Sequence, residues 1–137
     1  MELIRRIRRN TEILDNGCWN WTGHVNAAGY GKLCIDYKMR RAHRVTYELF
    51  KGAIPSGLVI DHLCRNRKCV NPDHLEAVPL KENVLRGEGL SALNSRKTVC
   101  VRGHMLSEDN VYRLRGKTTR ICKTCRKAQM KSMRGAA

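Results

Sequence analysis

The sequence predicts a small α+β protein stapled by metal ligands, and three observations point that way. Short strand-like runs alternate with short amphipathic helical runs, separated by Gly-rich turns. Aromatic residues make up only 5% of the chain, with one Phe and two Trp, so bulky core material is scarce. Seven Cys and five His accompany that deficit. The 137 residues correspond to about one domain by length, and so thin a core calls for disulfide or metal staples.

The chemistry of the staples follows from the flanking sequence. "MELIRRIRRNTEILD" is interrupted by arginines every two or three residues, unlike the apolar run of a secretory signal. No stretch approaches the ~20 apolar residues of a membrane span. The cysteines are therefore expected to be reduced metal ligands in a cytoplasmic protein, with no membrane partner.

Read in order, "ELIRRIRRNTEIL" spaces Leu3, Ile4, Ile7 and Leu14 near helical period, so residues 1–16 are expected to form a basic amphipathic helix. "GCWNWTGHVNAAGYGKLCIDYKMRRAHR" reads as short strands around Trp19, Trp21, Tyr30 and the run Lys32–Ile35. "AHRVTYELFKG" is a helix of two to three turns closed by Gly52. "IPSGLVIDH" is a turn and then a strand that delivers Asp61 and His62. "LEAVP" is a second strand and "LKENVLRGE" a helix, which completes a core over residues 17–87. Residues 88–98 are small and polar and read as a linker. Residues 99–137 form a separate basic unit.

Charge narrows the partner. The net charge is +15, and residues 91–137 carry twelve of the 27 basic side chains but only two of the twelve acidic ones. So steep an excess points to a polyanion. A membrane-surface protein would instead need a long helix with bulky apolar anchors, which the tail lacks.

"HLCRNRKCVNPDHLE" carries the chemistry. Cys64, Cys69 and His74 stand at C-x4-C-x4-H, and thiolate and imidazole are preferred zinc ligands. A tetrahedral site needs a fourth from upstream, where Cys18, Cys34 and His43 are candidates. Cys18 is favoured because it opens the first Trp-bearing strand. Asp61 and Asn83 flank this knot with hard oxygens suited to magnesium or another divalent cation. His62, with an ordinary pKa of about 6.5, suits proton abstraction near neutral pH. In the tail, Cys100-x3-His104 and Cys122-x2-Cys125 supply four more ligands in two close pairs, the pattern of a zinc knuckle.

The order Asp61-His62, Cys64, Cys69, "NPDH" and Asn83 resembles the HNH superfamily and its His-Cys box branch. "CWNWTG", "GYGKL", "AHRVTYEL" and "ENVLRG" are similar to segments of small bacteriophage HNH endonucleases, so the resemblance covers about residues 18–87. It implies a ββα-metal (His-Me finger) core with His62 as general base and Asn83 as ligand of the catalytic ion. Asp61 is a second ligand in many such enzymes. The resemblance further implies that Cys64, Cys69 and His74 bind structural zinc with an upstream Cys, best matched by Cys18. One position departs from HNH enzymes proper: His74 stands where they carry a central Asn, as in the His-Cys box. Family members also place an Arg near the scissile phosphate; Arg40, Arg41 and Arg44 compete, and Arg41 is favoured.

The expectation is a DNA endonuclease that acts on double-stranded DNA with one divalent ion and two structural zincs, and with a possible homodimer for duplex cleavage. Arg40, Arg44, Arg65, Arg67 and Lys68 on the core are expected to contact DNA. So are Arg113, Arg115, Lys117, Arg120, Lys123, Arg126 and Lys127 in the tail, where phosphate contacts supply affinity rather than sequence choice. The competing expectation is a zinc-containing nucleic-acid-binding protein without catalysis.

Overall fold

The structure is a computed structural model that describes residues 2–117 and 119–135. The chain divides into two compact units, residues 1–86 and 87–137, and each is α+β.

In the first unit, α1 (Glu2–Arg9) leads into β1 (Thr11–Ile13), which pairs antiparallel with β2 (Trp19–Trp21). The basic N-terminal helix is therefore shorter than the 1–16 expected from its periodicity. The Asn10 side chain donates to the carbonyl of Arg6 and the Thr11 hydroxyl to that of Ile7, which satisfies the last-turn acceptors. Thr11 and Ile13 are β-branched and then find partners in Trp21 and Trp19. α1 is not peripheral either: Ile7 joins Trp21, Leu33, Ala42, Val45 and Val70 in the core. Trp21 is its largest member, and Gly31 passes so close that a Cβ there would lie 2.7 Å from the indole.

β3 (Lys32–Ile35) and β4 (Lys38–Arg41) form a two-stranded ribbon that runs directly into α2 (Ala42–Lys51). Gly52 ends α2 at φ +94°, a left-handed position that suits glycine. β5 (Leu58–His62) pairs antiparallel with β6 (Leu75–Pro79), and α3 (Leu80–Arg86) packs against both. Between these strands, Asn71 caps a 3₁₀ turn over Pro72–His74 by accepting from the amide of Asp73. The turn delivers His74 immediately before β6.

The second unit begins with α4 (Leu90–Arg96), inside the stretch 88–98 expected as a linker. Gly89 precedes it and Ala92 is fully buried, so the small residues that suggested a linker form a short packed helix. β7 (Val111–Arg113) and β8 (Arg120–Cys122) form a hairpin, followed by α5 (Lys123–Arg134). No helix among the described residues is long and apolar enough to cross a membrane.

Candidate active site and metal centres

The loop between β5 and β6 folds back as an extra partner for β2. The amide of Trp21 donates to the carbonyl of Lys68, and the amide of Val70 donates to that of Trp19. That pairing, with a bridge between Asn20 and Cys69, brings Cys18 beside the loop. Cys18, Cys64, Cys69 and His74 have their ligand atoms within 4.8 Å of one another. His74 Nδ1 lies 3.5 Å from Cys18 Sγ and 3.7 Å from Cys69 Sγ. A tetrahedron with zinc–sulfur bonds of about 2.3 Å has edges of about 3.8 Å, so donor types and spacing both fit zinc. Of the other upstream candidates, Cys34 is exposed on β3 and His43 is buried against His62. Asn71, absent from the sequence-based ligand set, ties the site together. Its side chain donates to the carbonyl of Gly17, and its amide lies 3.4 Å from Cys69 Sγ. Burial pushes the Cys69 thiol up to about 12 and raises that of Cys64. Binding an ion there releases protons that the protein alone holds firmly.

On the same hairpin, Asp61 and His62 are adjacent on β5 and point to opposite faces, as the pleat requires. Both are buried. His62 Nε2 lies 3.2 Å from the carbonyl oxygen of Cys69. A carbonyl only accepts, so Nε2 carries the proton and Nδ1 is left as a lone-pair acceptor. Burial lowers the His62 pKa, opposed by that hydrogen bond and by the charge of Asp61.

Around His62 the structure assembles an aromatic cluster that spacing did not announce. The rings of His43 and His62 meet edge-on at 4.6 Å, and Tyr30 lies 5.4 Å from the first and 5.9 Å from the second. The guanidinium carbons of Arg41 and Arg67 lie 5.1 and 5.7 Å from the centre of the Tyr30 ring. Arg40 is instead drawn to Glu48 on α2 at 2.5 Å, and Arg44 is half-buried on α2. His43 is buried with its Nδ1 unpartnered among the described residues, and desolvation first, then His62 and nearby cations, lowers its pKa to about 3. The sequence offered His62 as a base, His43 as a candidate metal ligand and Tyr30 between two glycines, but nothing that joined the three.

Asp61 faces the other side. Its register partner is Glu76. Arg65 donates to Asp61 Oδ1 at 2.8 Å, while Oδ2 has no hydrogen-bond partner among the described residues and sees Arg86 Nη1 at 3.6 Å. Arg86, on α3, also reaches Glu76 and Glu82. Asn83 sits half-buried on the same helix. A buried carboxylate oxygen without a hydrogen bond fits the requirements of a hard divalent cation. Arg65, Arg67 and Lys68 are exposed on the loop.

In the second unit, Cys100, His104, Cys122 and Cys125 form a like cluster. Cys100 Sγ lies 3.5 Å from His104 Nδ1 and 3.7 Å from Cys125 Sγ. Gly103, at φ +82°, makes the turn that folds Cys100 toward His104. Asn110 braces the far pair: its side chain approaches Cys122 Sγ and accepts from the amide and hydroxyl of Thr124. Arg113, Arg115, Lys117 and Lys127 are exposed, whereas Arg126 stacks on Tyr112. Lys123 donates to the carbonyl of Asp109 and Arg120 to that of Asn94, so these two also serve the unit's own packing.

Comparison with known proteins extends the geometry. Residues 40–85 match a family model described as HNH endonuclease. The chain is 34% identical to Protein 7.7 of Escherichia phage T7 over 109 residues, covering 72% of this chain and 84% of that one. It is 36% identical to Protein 2.8 of the same phage over 85 residues, 61% of this chain and 58% of the relative. The gene 5.3 protein of Enterobacteria phage T3, whose name says it is uncharacterized, is 43% identical over 80 residues, 53% and 79% of the two chains. No solved structure matches. The matched segment runs from Arg40 through β5, the Cys/His loop, β6 and Asn83, and the chain belongs to the HNH endonuclease family.

Proposed function

We propose that this protein is a DNA endonuclease that hydrolyses phosphodiester bonds at a ββα-metal centre, with His62 as general base. The observation that carries the reading is the state of His62: fixed through Nε2 on the Cys69 carbonyl, which leaves Nδ1 as the ring's acceptor, on the strand that also carries Asp61. In this reading His62 Nδ1 takes a proton from the attacking water. Arg41, beside Tyr30, holds the scissile phosphate. Asp61 and Asn83 hold a divalent ion such as magnesium, which supplies positive charge where negative charge develops on the phosphate and leaving oxygen. Products with 5′-phosphate and 3′-hydroxyl ends follow from the family resemblance. The two Cys/His clusters hold zinc, and the first of them ties down the loop that follows β5, the strand of Asp61 and His62. Exposed arginines and lysines of both units contact the DNA backbone, and cleavage of both strands calls for two copies acting on one duplex.

A second reading has one specific support. Arg65 and Arg86 face the two oxygens of Asp61, so its charge is already neutralised without an ion. A zinc-stabilised DNA-binding protein without catalysis follows from that. Supercoiled plasmid incubated with purified protein and magnesium separates the two: nicked or linear product supports the nuclease, and retained supercoil with a mobility shift supports the binder.

A further inference from the structure

The β3–β4 ribbon carries an unusual tip. Its two-residue turn is Asp36–Tyr37, and both residues have positive φ, +47° and +60°. Asp tolerates that region, but a tyrosine there is uncommon, since Gly or Asn adopts it at less cost. The Tyr37 side chain is nonetheless fully exposed and covers nothing. A bulky ring kept at a strained position without packing is better explained by what it touches in a complex.

The rest of the ribbon names the occupant. Every residue of β4 is exposed, and three of the four are basic. The register puts Leu33 and Arg40 on the face that meets the core, and Lys32, Cys34, Met39 and Arg41 on the outer face. Arg41, at the ribbon's base, lies beside Tyr30, whose ring in turn meets that of His62. Four residues at about 3.4 Å each put Tyr37 roughly 14 Å from that base. The major groove of B-DNA, about 12 Å wide and 8.5 Å deep, admits a two-stranded ribbon.

We propose that the β3–β4 ribbon enters the major groove beside the scissile phosphate and that Tyr37 reads bases there, which makes it a residue that sets cleavage-site preference. The clause "beside the scissile phosphate" rests on the nuclease reading above; the groove contact does not. Lys38 and Arg41 grip the phosphates on the groove walls, and Tyr37 leads into the groove floor. Sequence choice thereby resides in the first unit, whereas the basic second unit adds affinity.

The test replaces Tyr37 by Asn, which tolerates the left-handed turn, so the variant is expected to melt no lower than wild type. Cleavage ends are mapped by sequencing on a randomised duplex library. The ratio of preferred to average sites is expected to fall about tenfold in Tyr37→Asn, the scale of one mismatched base pair. An unchanged preference overturns the proposal. In parallel, dimethyl sulfate probes guanine N7 in the major groove of duplex bound by the His62→Ala protein, which requires no catalysis. Protection that disappears when Tyr37→Asn is added supports the ribbon even if wild type cuts nothing, a result that would fail only the nuclease reading. Protection confined to adenine N3 in the minor groove, or identical with and without Tyr37, overturns it.

Discussion

His43 gives a sharp prediction because its environment opposes protonation so strongly. The ring is 2% exposed, its Nδ1 is unpartnered among the described residues, and Arg41, Arg44, Lys32 and His62 surround it. Its pKa falls from 6.5 to about 3 on folding. The unfolded chain therefore binds a proton below pH 6.5 that the folded chain refuses, and stability declines as pH falls from 6.5 toward 3. Each pH unit inside that window costs up to about 1.4 kcal/mol, so pH 7 to 5 costs about 2 kcal/mol from this residue. The assay is urea unfolding of wild type and His43→Phe at several pH values across that range. Acid also weakens the thiolate sites, but equally in both chains, so the difference between the two curves isolates His43. The gap between them should close by about 2 kcal/mol from pH 7 to 5 as wild type loses stability faster. Parallel curves would refute the claim that a neutral imidazole is buried beside His62.

Other predictions concern metal, salt and the scissile phosphate. Metal analysis of purified protein should find about two zinc ions per chain, as two four-ligand sites require. Cys69→Ser, at a fully buried ligand, should lose one zinc and destabilise the first unit, whereas Cys122→Ser should lose the other, leave the first unit folded by NMR and weaken DNA binding. Removing residues 96–137 should flatten the log–log salt dependence of DNA binding by several units, at about 0.9 for each phosphate no longer neutralised; equal slopes would mean the second unit is not on the DNA. Arg41→Ala should lower the cleavage rate well beyond Arg40→Ala, because the Arg40 guanidinium is committed to Glu48; single-turnover kinetics compare the two, and equal losses would remove Arg41 from the phosphate.

What the sequence made legible was local. "LVIDH" and "LEAVP" announced β5 and β6 by composition and turn signals, and the C-x4-C-x4-H spacing put three ligands in one loop because the loop is short. Cys18 could only be favoured among three candidates, since its approach depends on β2 pairing with a loop about fifty residues later. The cluster of Tyr30, His43 and His62 was hidden for the same reason: its members come from a turn, a helix start and a strand end that only tertiary packing joins. Periodicity overran the end of α1 because Leu14 kept the helical count, while the amides of Thr11–Ile13 found better partners in β2. Residues 90–96 looked like a linker because small residues serve turns and tight helix packing alike, and only the burial of Ala92 distinguishes them.

The central claim is that His62 is the base of a metal-dependent hydrolysis. The most direct measurement is the single-turnover rate of plasmid cleavage with magnesium by wild type and His62→Ala, alongside DNA affinity and zinc content for both. Wild type should cut only when the divalent ion is supplied. His62→Ala should bind DNA and zinc as wild type does yet cleave roughly 10²–10⁴-fold more slowly. Equal cleavage rates for the two proteins, or cleavage by neither, would contradict it.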